Sequence, residues 1–367
     1  MSRGLNEIMF APVMEAAGNA FSSRNNSRNE LLLPGEGILS AVGNTPIVRL
    51  AKISEQLKLR VFAKLEAHNP GGSMKDRAAA NIISRAIQAG LIGPDTVVVE
   101  SSSGNMGIGL AQVCSYYGLR FICVVDPKIT TQNLRLLGAY GTEVDLVTNP
   151  DPTTGEFLQA RIDRVKELLK TIENSFWPDQ YSNRNNSFAH HQTMREIAEA
   201  LDSQVDYFFC ATSTCGTLRG CSEFIQEARL PTKVIAVDAI GSVIFGGSTA
   251  KRLIPGHGAA LRPRLFHERF ADQSIQVSDL DCITGCRYLL KTESILAGGS
   301  SGAILSALFQ NREKIPENSI CVLLFADRGE RYLDTIYSDE WVTKHFGNIS
   351  DIGDGPFEAH SCKAAMY

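Results

Sequence analysis

Short uninterrupted apolar runs alternate along this chain with longer segments whose apolar residues recur every three or four positions. The runs 60–65, 96–100, 121–125, 144–147, 205–210, 234–237 and 320–325 are of the first kind. They read as buried strands. Helical patterns follow several of them. After Ser73, residues Ala79, Ile82, Ile83, Ala86 and Ile87 make one apolar stripe, and 158–172 and 188–201 repeat the arrangement with charges on the opposite face. Strand then helix, several times over, predicts an α/β protein built on mostly parallel sheet, and no internal repeat is evident. The two ends depart from this pattern. Residues 21–30, FSSRNNSRNE, are polar and of low complexity, and 348–367 are rich in Gly, Asp and small side chains, so both are expected to be loose.

Composition narrows the class. A chain of 367 residues, 44% apolar and 21% charged, is an ordinary globular protein with room for two or three domains at roughly 100–200 residues each. Basic residues number 36 against 40 acidic, a net charge of −4, which lacks the footprint of a nucleic-acid binder. The longest apolar runs, 121–125 and 320–326, fall far short of the ~20 residues of a membrane-spanning helix. Glu7 and Glu15 interrupt the first 29 residues, so no secretory leader is expected. The nine cysteines form no CxxC pair, and the closest two, Cys282 and Cys286, have no second pair or nearby histidines. Neither a metal site nor a disulfide framework is predicted; reduced thiols acting as small buried hydrophobes point to the cytoplasm.

In open parallel sheets, ligands sit beyond the carboxyl ends of the strands, where loops enter helices. Four such loops are rich in Gly, Ser and Thr. In Asn69-Pro70-Gly71-Gly72-Ser73-Met74-Lys75-Asp76-Arg77, Ser73 can cap a helix beginning at Met74, which puts Lys75 in the first turn. The helix dipole and burial both disfavour an ammonium there, as a Schiff-base lysine requires; a surface lysine pairing with Asp76 is the alternative. The loop Glu100-Ser101-Ser102-Ser103-Gly104-Asn105-Met106-Gly107-Ile108-Gly109 offers hydroxyls and free amides to a carboxylate. A dinucleotide turn with Asp126 ending the next strand competes, but glycines at 104, 107 and 109 do not make GxGxxG, and a plain structural turn stays open. Ala211-Thr212-Ser213-Thr214-Cys215-Gly216-Thr217 gathers hydroxyls and a glycine at a helix start, which suits a phosphate dianion. It lacks the Gly-Lys-Ser/Thr ending of a nucleotide loop, and helix capping alone would also explain it. Gly298-Gly299-Ser300-Ser301-Gly302 opens the helix 303–309 and fits the GxSxG of a hydrolase elbow. No core strand precedes it, however, and only His345 and His360 follow; Ser300 can instead offer a neutral hydroxyl to a ring nitrogen.

Taken in order, a lysine on the first of these helices, an Asn/Ser/Gly loop, a Ser/Thr/Gly cup and a late GGSSG serine resemble the fold-type II pyridoxal-phosphate enzymes, the cysteine synthase and cystathionine β-synthase group. Gly43-Asn44-Thr45-Pro46 and Gly329-Glu330-Arg331-Tyr332-Leu333 extend the resemblance from about 38 to 346. It implies a tryptophan synthase β-like fold of two domains, each with a mainly parallel twisted sheet flanked by helices. The implied division is an extension at 1–36, first strands at 37–63 packed with the C-terminal part, a smaller mobile domain at 64–178, a larger one at 179–347 and a tail at 348–367. By the same resemblance Lys75 binds pyridoxal 5′-phosphate covalently, Asn105 meets its ring hydroxyl, and Ser300 faces its pyridine nitrogen. Ser213, Thr214, Cys215, Gly216 and Thr217 would cradle its phosphate. A neutral serine leaves the pyridine unprotonated and the cofactor a milder electron sink, which suits β-elimination and β-replacement. Ser102, Ser103 and Gln180 are implied to hold the substrate's α-carboxylate, and a homodimer is expected.

Within that group several positions are unusual. Met106 follows Asn105 where threonine is common, the cup reads STCGT instead of GTGGT, and Arg328, 124–129 and 237–246 also depart. These look like a branch that condenses O-phospho-L-serine with L-glutamate through an α-aminoacrylate, towards 2,3-diaminopropionate and a siderophore. A sulfide-using cysteine synthase is the alternative. A phosphate leaving group and glutamate carboxylates need cations. Arg161 on the helix 158–172 and Tyr181 beside Gln180 are the candidates, a solvated helix-face charge being the other explanation of Arg161.

Overall fold

The structure, a computed structural model, describes residues 35–347 apart from 153, 154 and 156. The expected loose tail at 348–367 and residues 1–34 of the extension lie outside the described residues. Within them the strands are β1 (Ile47–Arg49), β2 (Arg60–Leu65), β3 (Val97–Ser101), β4 (Arg120–Val125), β5 (Glu143–Leu146), β6 (Ser175–Phe176), β7 (Tyr207–Ala211), β8 (Lys233–Ala239), β9 (Gln273–Val277) and β10 (Ile320–Phe325). They form a six-stranded sheet ordered β1-β2-β10-β7-β8-β9 and a four-stranded sheet ordered β5-β4-β3-β6. Only β1 runs antiparallel to its neighbour. The α/β fold with parallel sheets flanked by helices is thus as expected.

Central β10, ICVLLF, is buried along its whole length because helices cover both faces of its sheet. Strand β5 corrects the sequence reading: Val144 is 38% and Leu146 54% exposed, where a buried strand was expected. It lies at the edge of its sheet, so its apolar residues are only partly covered. The apolar pattern also passed over β1, β6 and β9, which are short or, in β9, alternate between exposed and covered positions.

The loop-to-helix junctions fall close to where the pattern put them. Helices span Lys75–Gln88, Asn105–Tyr117, Phe157–Thr171, Arg184–Ala200, Gly216–Glu227 and Gly299–Gln310. Met74, not Ser73, occupies the cap position of the first, and Ser73 Oγ accepts from Lys75 N at 3.2 Å. The last packs tightly on the helix Asp279–Glu293. A methyl at Gly302 would come within 2.1 Å of Cys282 O, and one at Gly285 within 2.2 Å of Gly302 O, so close helix contact accounts for the last glycine of GGSSG.

A buried ion network anchors the lysine-bearing helix. Arg77 Nε lies 2.6 Å from Glu66 and its Nη2 2.7 Å from Glu196, while Lys64 Nζ on β2 lies 2.6 Å from Glu196. Lys64 also donates to Thr45 O at 2.7 Å and Asn44 N to Glu196 at 3.0 Å, which ties in the Gly43–Pro46 turn. Burial would raise the Glu196 carboxyl, but the hydrogen bonds and charges of Arg77 and Lys64 outweigh it and hold the group at about 2. All eight described cysteines are buried and free. Among the described residues no helix is long and apolar enough to cross a membrane.

Candidate active site

A cleft of about 360 Å³ opens beyond the carboxyl ends of β3, β4, β7 and β10. It is lined by Lys75, Ser102, Ser103, Asn105, Arg161, Gln180, Tyr181, Ser213, Thr214, Cys215, Thr217 and Ser300, so the expected site residues from all four loops converge there. Gly216 lies behind this lining, its N–H reaching Thr214 Oγ1 at 3.4 Å.

Lys75 is the first residue of its helix and only partly exposed. Burial pulls its ammonium below the usual value, against the nearby Asp327 carboxylate that favours the charge. The expected alternative, a pair with Asp76, is not formed. Asp76 instead accepts from Gly71 N at 2.5 Å, and burial pushes its carboxyl up to about 7.

Asn105 opens the next helix with its amide held on both sides. Its Nδ2 donates to Asp327 Oδ2 at 2.7 Å, and Arg331 donates to its Oδ1. Tyr332 donates to the same Asp327 oxygen at 2.5 Å. The second Asn105 N–H is left for a ligand. In the same loop, Ser102 Oγ accepts from Gly107 N at 3.0 Å and Gly104 N at 3.3 Å, so its own O–H is free to donate into the cleft. Ser103 Oγ accepts from Arg161 Nη1 at 3.0 Å, and Arg161 Nε sits 3.2 Å from Asp126 Oδ2. Arg161 is therefore not a solvated helix-face charge; its side chain is 13% exposed.

Gln180 anchors below, its Nε2 donating to Ser101 O at 3.3 Å and its N–H to Glu100 at 3.2 Å. Burial raises the Tyr181 phenol, which keeps it protonated at neutral pH. Asp126, which the sequence offered as a dinucleotide-binding acid, is committed to Arg161 and to Lys128 N at 2.8 Å.

The cup after β7 is shaped for an anion. Cys215 caps the helix Gly216–Glu227 in the left-handed region, at φ 61. That conformation costs a non-glycine residue about 1–2 kcal/mol. Among the described residues the amides of Ser213, Thr214, Cys215 and Thr217 have no hydrogen-bond partner. Four open amides at a helix N-terminus, with hydroxyls beside them, fit a phosphate dianion. Thr217 Oγ1 is steadied by His190 Nε2 at 3.1 Å, and His190 Nδ1 by Thr193 at 3.1 Å. Burial pulls His190 well below its usual value, so it is neutral. Ser300 lines the cleft at the start of Gly299–Gln310, and no described histidine hydrogen-bonds it, which removes the hydrolase elbow.

Sequence reasoning passed over Asp327, Arg252 and His257, which also line the cleft. Asp327 adjoins the Gly329–Leu333 stretch already noted, whereas Arg252 and His257 lie in an irregular segment with no periodicity to mark them.

Residues 38–327 match the family described as pyridoxal-phosphate dependent enzyme. Among solved structures, an O-acetylserine dependent cystathionine β-synthase from Helicobacter pylori is 30% identical, with a TM-score of 0.77 over 84% of this chain and 100% of that one. A hydrogen sulfide-producing enzyme from Fusobacterium nucleatum is 33% identical, with a TM-score of 0.77 over 82% and 100%. An O-ureido-L-serine synthase is 29% identical, with a TM-score of 0.78 over 84% and 98%. The chain belongs to the pyridoxal-phosphate dependent enzymes, in their fold-type II, and pyridoxal phosphate is its cofactor.

Proposed function

We propose that this cysteine-synthase-like β-replacement enzyme joins O-phospho-L-serine to L-glutamate, giving N-(2-amino-2-carboxyethyl)-L-glutamate and phosphate. The observation that carries this reading is Arg161. Its guanidinium reaches the cleft against Ser103, with Nη2 uncommitted among the described residues. A phosphate leaving group needs such a cation; an acetate leaving group does not.

Lys75, Asn105, Ser300 and the cup of Ser213, Thr214, Cys215, Gly216 and Thr217 would hold the cofactor. When bound, it supplies the electron sink that acidifies the donor's Cα–H and lets the β-substituent depart. The remaining work falls to the chain. Ser102, Ser103 and Gln180 orient the donor's α-carboxylate. Lys75 Nζ, its pKa lowered by burial, takes the α-proton and later returns it. Arg161 and the neutral Tyr181 phenol stabilise the phosphate as the Cβ–O bond breaks and the oxygen leaves with the electron pair. The glutamate amine then forms the C–N bond at that carbon and gives up a proton.

The rival acceptor is sulfide, which would attack the same carbon. Purified protein with O-phospho-L-serine and either L-glutamate or sulfide decides by mass spectrometry. The expected product is N-(2-amino-2-carboxyethyl)-L-glutamate, equimolar with released phosphate. Cysteine formed from sulfide, with no glutamate adduct, would overturn the reading.

A further inference from the structure

The cleft wall formed by residues 251–259 takes no part in the steps above. This segment between β8 and β9 is irregular, yet it is pinned along its length. Leu253 N donates to Asp279 Oδ2 at 2.7 Å, Gly258 N to Thr212 O at 2.8 Å, and Ala259 N to Ser242 Oγ at 3.1 Å. The loop closes on its own arginine, Arg252 Nη1 donating to His257 O at 3.0 Å. A methyl at Gly258 would meet that Nη1 at 2.7 Å, so the glycine leaves room for the guanidinium.

Two side chains on this wall carry polar atoms without a partner. Arg252 Nε is buried without a hydrogen bond, and Arg252 forms no ion pair with a described residue. Asp238 senses its charge only from beyond ion-pair distance. His257 is 1% exposed, and neither ring nitrogen has a partner. Burial, reinforced by the Arg252 charge, pulls it to about 4, so it stands as a neutral imidazole with one donor and one acceptor. Buried polar groups left this way are costly unless a ligand satisfies them.

Arg161 is different: Asp126 and Ser103 already engage it. Tyr181 senses both arginines, which places two cationic positions around one cleft residue. One leaving phosphate occupies one of them.

We propose that Arg252 and His257 seat a carboxylate of the acceptor amino acid, and so select an acidic amine over sulfide. This rests on the amino-acid acceptor put forward above. Arg252 supplies the charge and a second N–H, and His257 supplies a neutral donor beside it. Sulfide carries no carboxylate and gains nothing from either.

The test uses Arg252→Gln, Arg252→Lys and His257→Gln in cofactor-loaded protein. Arg252→Gln should raise the glutamate KM at least about tenfold, the loss expected for one charged hydrogen bond. Phosphate release from O-phospho-L-serine alone, and turnover with sulfide, should stay within about twofold, which also shows that the fold is intact. Arg252→Lys should recover part of the glutamate KM, and His257→Gln should raise it less than Arg252→Gln does. An unchanged glutamate KM in Arg252→Gln and His257→Gln, or an equal fall in phosphate release, would overturn the inference while leaving the acceptor assignment standing. Wild-type protein that uses sulfide but no carboxylate-bearing amine would overturn the acceptor assignment and this inference with it.

Discussion

Replacing Arg161 with methionine keeps most of the side-chain length and removes the charge. In the structure its Nη1 is spent on Ser103 at 3.0 Å and its Nε faces Asp126 at 3.2 Å, which leaves Nη2 for an incoming oxygen. A hydrogen bond to a charged group contributes about 1.5–3 kcal/mol. At about 1.4 kcal/mol per tenfold, kcat/KM for O-phospho-L-serine should fall roughly 10- to 150-fold, towards the lower end because Asp126 already offsets part of the charge. Methionine also leaves Asp126 without its partner, a structural cost. That cost falls equally on O-acetyl-L-serine, so the ratio of the two donors isolates the phosphate contact. Steady-state release of phosphate and of acetate gives the ratio, and inorganic phosphate as a product inhibitor should weaken by the same factor. Equal losses with both donors and unchanged inhibition by phosphate would refute a leaving-group role.

Glu196→Gln should cost about 3–5 kcal/mol in urea unfolding, because Lys64 and Arg77 then stay buried with only Glu66 to balance them. The wild-type network also sets an acid limit. The folded Glu196 carboxyl is held at about 2, below the ~4.3 of an unfolded chain, so its stabilisation is complete above the unfolded value and lost as pH falls towards 2. Unfolding midpoints between pH 5 and 3 should therefore fall more steeply in wild type than in Glu196→Gln. Lys75→Ala should fold yet lose turnover, and borohydride should fix the cofactor's mass to wild-type protein but not to this variant.

The alternation of strand and helix was legible because a parallel strand covered on both faces must be apolar throughout, as β10 is. The same apolar content misled at β5, since position at a sheet edge is a property of pairing and not of local sequence. Each of the loops carrying Lys75, Asn105, Ser300 and the 213–217 cup left a structural alternative open in the sequence; their joint order, through its resemblance to a known family, singled them out, and the fold brings them to one cleft. Arg161 could not be separated from a solvated charge until Ser103, 58 positions away, was seen to meet it. Arg77 and Glu196 are 119 positions apart, and no local pattern announces such a pair. Arg252 and His257 lie in a loop without periodicity, and their character comes from the absence of partners, which only three-dimensional packing reveals.

The most direct measurement is the absorbance spectrum of the purified, cofactor-loaded protein, recorded alone, then with O-phospho-L-serine, then with L-glutamate. The expected result is a visible band that shifts when phosphoserine is added, with release of phosphate, and returns to its starting form with glutamate. A shifted band that sulfide restores and glutamate does not would contradict the synthase assignment and leave a cysteine synthase in its place.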